Sequence, residues 1–414
     1  MLKNSAQRMI NEIIAENMPE TAVKKALEGH NFYDKKVFIV AIGKAAWTMA
    51  KAASDVLGAK IETGIVITKY NHSLGEINNL EIFEAGHPVI DENSIIATEK
   101  AIQLVGSLGE DSEVLFLISG GGSSLFESPP AGITLQDVSS LTHNLLASGA
   151  DIVEMNVIRK RLSKVKAGRF ARMCFPAKVF AIVLSDVIGD RLDTIASGPA
   201  AVDKSTCEDA LKVINKYQLE LTDIQRKFLE LETPKELNNV KTVITGSVRS
   251  LCESAASSAK RLGFTPYIVT TTLTCEASQA GSFLSSIAFD TVSDNNCFRR
   301  PCAIIAGGET VVTLRGKGVG GRNQELALSA ASGISGLNDV LIFSLGSDGT
   351  DGPTDAAGGM VDGESLNQLK DIGLDIDEII KNNDSYNGLK AINGLIITGP
   401  TGTNVNDVAV ILCQ

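Results

Sequence analysis

The chain has 414 residues, carries 38 Lys and Arg against 49 Asp and Glu for a net charge of −11, and is 44% hydrophobic and 5% aromatic. At about 150 residues per domain that length implies two or three domains, and the composition is that of a globular protein, not a disordered or fibrous one. The acidic balance argues against a nucleic-acid partner, because phosphate backbones reward a basic surface, so an anionic ligand must meet a local cationic pocket.

The first predicted element is an amphipathic helix near Ala6 to Leu27, followed by β-rich runs at Val37 to Ile42, Gly64 to Thr68, Leu80 to Phe83 and Val114 to Ile118. Helix-like stretches separate them, and strands that are apolar throughout are the mark of a parallel sheet covered on both faces. Helices at Thr134 to Ser148 and Asp151 to Val165 precede a strand at Lys178 to Leu184. The polar stretch from Asp203 through Glu236 reads as a linker, which sets domains at residues 1–236 and 237–414. The second α/β set begins at Thr242 to Gly246 and continues through Tyr267 to Thr270, Ala303 to Ala306 and Thr310 to Leu314. It ends with Val340 to Leu345, Gly394 to Thr398 and Val408 to Leu412. The expected fold class is α/β in two domains, a Rossmann-like parallel-sheet N-terminal domain and a smaller α/β C-terminal domain, with a cleft between them.

Cys174, Cys207, Cys252, Cys275, Cys297, Cys302 and Cys413 are odd in number and scattered, without Cys-x-x-Cys pairs, which suits reduced thiols in a cytoplasmic protein. The N-terminal segment from Met1 has no apolar signal core, and no apolar run approaches the roughly 18 residues needed to span a bilayer. A soluble, cytoplasmic chain without a membrane partner is expected.

Glycine loops at strand ends carry the chemistry. Ser119-Gly120-Gly121-Gly122-Ser123-Ser124 follows the Val114 to Ile118 strand. Consecutive glycines there let successive N–H groups point at one oxyanion. The same arrangement recurs at Gly43-Lys44, at Gly307-Gly308-Glu309 and at Gly346 to Asp351, which together favour a polyphosphate site. A Walker A loop is absent, since Gly43-Lys44 is followed by alanine and Gly316-Lys317 by glycine. Gly316-Lys317-Gly318-Val319-Gly320-Gly321 matches the dinucleotide pattern, but Arg315, Lys317 and Arg322 crowd it and the acidic residue comes late, at Asp348.

Lys44 stands between a strand and a helix, where its ammonium can reach an anion over the helix N-terminus; a solvated lysine is the alternative. Arg322 offers a planar fork for a carboxylate or a transferring phosphoryl group. From Arg159 to Arg172 there are seven cations and no acid, of which half are expected on a solvated helix face while the rest focus an anion. Acids gather at Asp186 and Asp190, at Asp348, Asp351 and Asp355, and at Glu309. Magnesium takes one or two carboxylates with phosphate oxygens and water, and Asp190, Asp348 and Asp351 are candidates, with an Asx turn as the alternative at each aspartate. His30, His72, His87 and His143 form no metal or triad pair.

Taken in order, Ala41-Ile42-Gly43-Lys44-Ala45, Ala85 to Pro88, Ile118 to Ser124, Leu184 to Asp190, Ala196 to Pro199, Gly307 to Thr310, Gly320 to Glu325, Ser347 to Ala357 and Thr398 to Asp407 resemble the glycerate 2-kinase family, whose C-terminal half is the MOFRL domain. The resemblance covers nearly the whole chain. It implies an active site in the interdomain cleft, ATP and D-glycerate as substrates, phosphoryl transfer to the 2-hydroxyl, magnesium, and functional roles for Lys44 and Arg322. The residues agree with that implication, because phosphoryl transfer needs positioning and charge neutralisation, which glycine cradles, acids and one or two cations supply. Asp186 is the choice for accepting the hydroxyl proton on chemistry alone. Two other readings stay open: an NAD(P)-dependent hydroxypyruvate reductase using the Gly316 run and His87, and a nucleotide-sensing protein on the same fold. Oligomeric state is left open, a homo-oligomer included.

Overall fold

The structure is a computed structural model that describes residues 2–293 and 298–414. Met1 and Cys297 lie outside the described residues. The chain forms two compact units, the first comprising Val23–Ser185 and Asp190–Thr245, the second Met1–Ala22, Asp186–Gly189 and Gly246–Gln414.

In the first unit, strands β1 (Lys36–Ile42), β2 (Ile61–Lys69), β3 (Leu80–Ala85), β4 (Ser112–Ile118), β5 (Lys178–Leu184) and β6 (Val240–Gly246) lie in the order β3-β2-β1-β4-β5-β6. The pairs from β3 across to β5 are parallel. The apolar runs behave as their composition requires: every residue of β4 is buried, as expected for a strand covered on both faces.

Two expectations fail in this unit. Thr242 to Gly246 does not open the second domain, because it is the end of β6 and completes the first sheet. The stretch from Asp203 to Glu236 is not a linker: it holds helices Cys207–Tyr217 and Asp223–Leu229, each started by a capping box at Thr206 and Thr222. Ala210, Val213, Ile214 and Leu229 from these helices bury against Leu141, Leu145 and Ile158 of the preceding helical pair. Its surface charge concealed an amphipathic interior.

In the second unit, β7 (Thr265–Leu273), β8 (Cys302–Gly308), β9 (Val340–Gly346), β10 (Gly358–Asp362), β11 (Leu395–Ile396) and β12 (Asp407–Cys413) take the order β11-β10-β9-β12-β8-β7. Among the described strands of this sheet, β7 and β8 pair in parallel, and β12 is antiparallel to both β8 and β9. Alternate residues enter separate cores. Ile304, Ile342 and Ile411 face one cluster, while Ile305, Phe343 and Val410 face the other. Helix Leu2–Glu16 joins that second cluster through Ala6, Met9, Ile10 and Ile13. The N-terminal helix therefore belongs to the second unit, and the expected single helix to Leu27 breaks before a second helix, Pro19–Glu28. At about 1.5–3 kcal/mol per fully buried large apolar side chain, those contacts anchor the helix firmly.

Thr310 to Leu314 is not a strand: Val311 makes a single bridge to Glu276, and Val311 and Leu314 stay exposed. Conversely β10 had no legible pattern, and its glycines are there for proximity. A Cβ on Gly358 would lie 1.9 Å from the Ser344 carbonyl oxygen. Among the described residues no helix is long and apolar enough to cross a membrane.

Candidate functional site

The order of the first sheet reverses between β1 and β4, the place where open α/β sheets bind ligands beyond the carboxyl ends of their strands. Both loops there are the ones singled out by sequence. They are laced together: the Lys44 N–H donates to the Gly120 carbonyl at 2.9 Å, and the Ala45 N–H donates to Ser119 Oγ at 3.1 Å. Ser119 Oγ in turn donates to the Ile42 carbonyl at 3.1 Å. Ser119 is thus a structural tie, and Ser124, whose hydroxyl reaches the Gly121 carbonyl at 3.2 Å, is another.

The N–H groups of Gly120, Gly121 and Ser123 make no hydrogen bond among the described residues. Gly121 has φ +84°, and a Cβ there would stand 2.9 Å from His87 Cδ2 and 3.2 Å from Lys44 Cγ. Glycine is required on both counts. Gly122 is buried, with Ala196 so near that a Cβ would lie 2.9 Å from it. The result is a turn with three open donors beside the Lys44 stem. His87 is held below its ordinary pKa, chiefly by burial and then by the charges of Lys44 and Lys69, which favours its neutral form.

Around this turn the basic run sorts itself. Lys160 pairs with Asp203 at 3.2 Å and Asp193 at 3.4 Å, and Arg161 is fully buried with Nη1 on Ser205 Oγ at 2.9 Å. Lys164 meets Glu99 at 2.6 Å, and Arg169 Nη1 donates to the Ser163 carbonyl at 2.9 Å. Lys166 and Glu127 form a fully buried pair, with Lys166 Nζ also donating to the Ser123 carbonyl at 2.8 Å. Arg172 alone is exposed. The expected solvated face does not exist, because carboxylates distant in sequence neutralise most of the run inside the fold.

The second unit holds a cavity of about 900 Å³ lined by Ile188, Glu309, Arg322, Asp348, Asp351 and Pro353 among others. Arg322 opens the helix Arg322–Gly333 and is gripped from two sides. Nε and Nη2 reach Asp407 at 2.6 and 3.1 Å, and Nη1 reaches Glu309 at 2.9 Å. Burial opposes its charge, but the two carboxylates more than offset that and leave its pKa above the ordinary value. Glu309 therefore orients a cation; a carboxylate is no phosphate ligand. Asp407 was missed as a site residue, although it closes the last of the sequence motifs.

Gly307 and Gly308 lie inside β8, paired with Val408 and Asp407, and a Cβ on Gly308 would stand 2.1 Å from the Leu273 carbonyl oxygen. They serve close strand packing inside the sheet. In the 316–321 run the N–H groups of Gly316 to Val319 are engaged, while those of Gly320 and Gly321 make no hydrogen bond among the described residues. The N–H groups of Arg315 and Gly316 donate to Asn383 Oδ1 at 2.7 and 2.9 Å, that of Lys317 to Asn382 Oδ1 at 3.1 Å, and that of Val319 to Asp384 Oδ1 at 2.9 Å.

Asp351 is buried and receives the N–H groups of Asn323 at 3.2 Å and Gln324 at 2.8 Å, capping the Arg322 helix from a distant loop. Burial lifts its carboxyl to about 6 against those donors. Asp348 is half-buried and spends Oδ1 on the Thr350 N–H at 3.1 Å. Asp190 sits in the first unit, with φ 53°. Among the described residues no group of three His, Cys, Asp or Glu side chains is arranged to hold a metal, so these aspartates form no ready-made cage. Asp186 lies on the segment of the second unit that also supplies Ile188 to the cavity, and its carbonyl accepts from Asn406 Nδ2 at 3.0 Å.

Two family models match the chain: a domain of unknown function (DUF4147) over residues 5–230 and the MOFRL family over residues 302–407. A D-glycerate 2-kinase of Thermotoga maritima is 54% identical over 99% of this chain and 98% of its own. A crystal structure of a glycerate kinase from the same organism superposes with a TM-score of 0.97 at 53% identity, covering 100% of this chain and 99% of that one. A glycerate 2-kinase of Pyrococcus horikoshii is 42% identical over 97% of this chain and 95% of its own. A protein of Agrobacterium vitis named a putative hydroxypyruvate reductase is 40% identical over 90% of this chain and 98% of its own. The chain belongs to the glycerate 2-kinase family.

Proposed function

We infer that the protein is an ATP-dependent kinase that transfers the γ-phosphoryl group to the 2-hydroxyl of D-glycerate, giving 2-phospho-D-glycerate. The observation that carries the reading is the turn at the strand-order switch, where the N–H groups of Gly120, Gly121 and Ser123 lie open beside Lys44. Such a turn binds a phosphate through backbone donors, and the lysine adds a full charge. Arg322, fixed by Asp407 and Glu309, presents a second oriented cation in the other unit's cavity. Charge on the transferring group grows toward the transition state, so cations held in place beforehand lower the barrier.

Magnesium fits as a partner of the nucleotide, since it binds through phosphate oxygens with one or two carboxylates and needs no protein cage. Asp348 suits that role best: it lines the Arg322 cavity, whereas both oxygens of Asp351 already accept backbone N–H groups. Bound there, the ion would neutralise phosphate charge. Asp186 is our choice to accept the hydroxyl proton of glycerate. A cytoplasmic location agrees with the free thiols of Cys174, Cys207, Cys252, Cys275, Cys302 and Cys413.

The reductase reading finds no support in the site. A pyrophosphate on the 316–321 run would compete with Asn382, Asn383 and Asp384 for the N–H groups of Gly316 to Val319, and the lowered pKa of His87 disfavours the protonated form a hydride-transfer acid needs. The test is an assay with ATP, Mg²⁺ and D-glycerate coupled directly to enolase. Signal without phosphoglycerate mutase is expected. A requirement for the mutase would place the phosphoryl on the 3-hydroxyl, and NADH oxidation with hydroxypyruvate at a comparable rate would install the reductase.

A further inference from the structure

Among the described residues Arg159 is the half-buried cation of the basic run that has neither a carboxylate in salt-bridge distance nor carbonyls to hold its fork, while Arg172 lies exposed. Lys160, Arg161, Lys164 and Lys166 each have one within salt-bridge distance, and Arg169 is held by two carbonyls. Arg159 is half-buried on the helix Ile152–Arg161, and the one hydrogen bond it makes among the described residues is from Nη2 to Ser123 Oγ at 3.2 Å. Glu127, the nearby acid, is already bonded to Lys166. Desolvation pulls the pKa of Arg159 down and the charge of Glu127 offsets that only in part, so burying this charge carries a net cost.

Its one partner belongs to the glycine turn. Ser123 Oγ lies 2.9 Å from Ser197 Oγ, and Ser197 Oγ donates to Asn156 Oδ1 at 3.4 Å. Because Ser197 gives its proton to Asn156, Ser123 gives its own to Ser197, and its oxygen is left to accept from Arg159. The hydroxyl chain is internally satisfied. What remains open is the rest of the guanidinium fork and the Ser123 N–H, on the same residue that Arg159 touches. Ala196 and Ser197 hold left-handed backbone, φ 49° and 60°, to bring that hydroxyl against the turn.

We propose that Arg159, aligned by Ser123 and Ser197, binds an oxyanion of a substrate, a carboxylate or a phosphate, beside the open N–H groups of the glycine turn. A planar fork with parallel donors suits either group, and pairing restores the charge balance that the fold withholds. The proposal rests on the kinase reading for its two sources: D-glycerate brings the carboxylate, ATP the phosphates.

The experiment titrates ATP and D-glycerate separately into wild type, Arg159→Ala and Arg159→Lys, each beside a thermal melt. Arg159→Ala is expected to weaken one ligand by about tenfold or more and the other by less than about twofold, with Arg159→Lys recovering part of the loss. Loss on D-glycerate assigns the carboxylate, loss on ATP the phosphate. Both affinities within about twofold of wild type overturn the proposal. A parallel fall of both affinities with the melting temperature, alike in Ala and Lys variants, also overturns it, because that is how a purely structural arginine behaves. Should wild type bind neither substrate, the kinase reading fails by itself, and inorganic phosphate then reads the site alone. A loss of about tenfold in Arg159→Ala supports the oxyanion site, while equal binding, or none to wild type, removes it.

Discussion

Two glycine-rich segments of this molecule look alike in sequence and do opposite work. The 120–123 segment in the first unit leaves the N–H groups of Gly120, Gly121 and Ser123 open beside Lys44, whereas the 316–321 run in the second unit spends those of Gly316 to Val319 on Asn382, Asn383 and Asp384. A Cβ on Gly316 would lie 2.2 Å from the Asn382 carbonyl oxygen, so that glycine exists to let two stretches of chain touch. What separates the two is where the N–H groups point, and only the fold decides that. A glycine pattern is therefore evidence of close approach, by a ligand in one unit and by the protein's own backbone in the other.

The units also hold their cations differently. Lys44 stands beside a glycine turn with no ion pair among the described residues, while Arg322 is clamped by Asp407 and Glu309. If both stabilise the transferring phosphoryl, Lys44→Ala and Arg322→Ala each lower turnover by roughly 100-fold or more, with circular dichroism unchanged. Wild-type turnover in either folded variant would remove that residue from the chemistry and leave the other unit to supply it. A drop confined to KM would make the residue a binding group only.

The glycine contrast itself can be broken by a pair of substitutions. Gly121→Val forces a branched residue to φ +84° and drives its Cβ against His87, at a local cost of about 1–3 kcal/mol. Affinity for ATP or 2-phosphoglycerate should fall in that variant well before stability does. Gly316→Val drives a side chain into Asn382 at a similar cost of about 1–3 kcal/mol, read as a lowered melting temperature with both affinities kept. Normal affinity in Gly121→Val with a normal melt would make the first turn as structural as the second run.

How much of this was legible follows from which forces are local. Strands β4 and β5 are continuous apolar runs, and their limits could be read to within two residues because burial on both faces leaves nothing else for Val114 to Ile118 or Lys178 to Leu184 to be. The β6 segment has an equally clear pattern but was given to the wrong sheet, since sheet membership depends on partners far away in the chain. Lys44, Arg322 and the 119–124 turn were recognisable from residue type and position at strand ends. The grip of Asp407 and Glu309 on Arg322 was not, and neither was the singling out of Arg159, because seven cations in a row look equivalent until Asp203, Glu99 and Glu127 arrive from elsewhere. Gly307 and Gly308 misled for the same reason in reverse: they lie inside a strand, opposite Val408 and Asp407, and not in a loop.

The stretch from Asp203 to Glu236 gives the mildest test, and it bears on where the first unit ends. Thr206 caps the helix Cys207–Tyr217 by accepting the Asp209 N–H at 3.2 Å, while Asp209 returns a bond to the Thr206 N–H at 2.9 Å. A linker would be indifferent to losing that cap. Within a packed unit, Thr206→Ala leaves helix donors unpaired and costs about 1 kcal/mol, which for a unit of this size lowers the melting temperature by about 2–4 °C. Kinetic constants should stay at wild-type values, because the helix packs on Leu141, Leu145 and Ile158 and supplies nothing to the glycine turn. Protease nicking between Asp203 and Glu236 in the wild type, with no change of melting temperature in Thr206→Ala, would return the segment to a linker. It would also put the boundary of the first unit back near residue 236, ahead of β6.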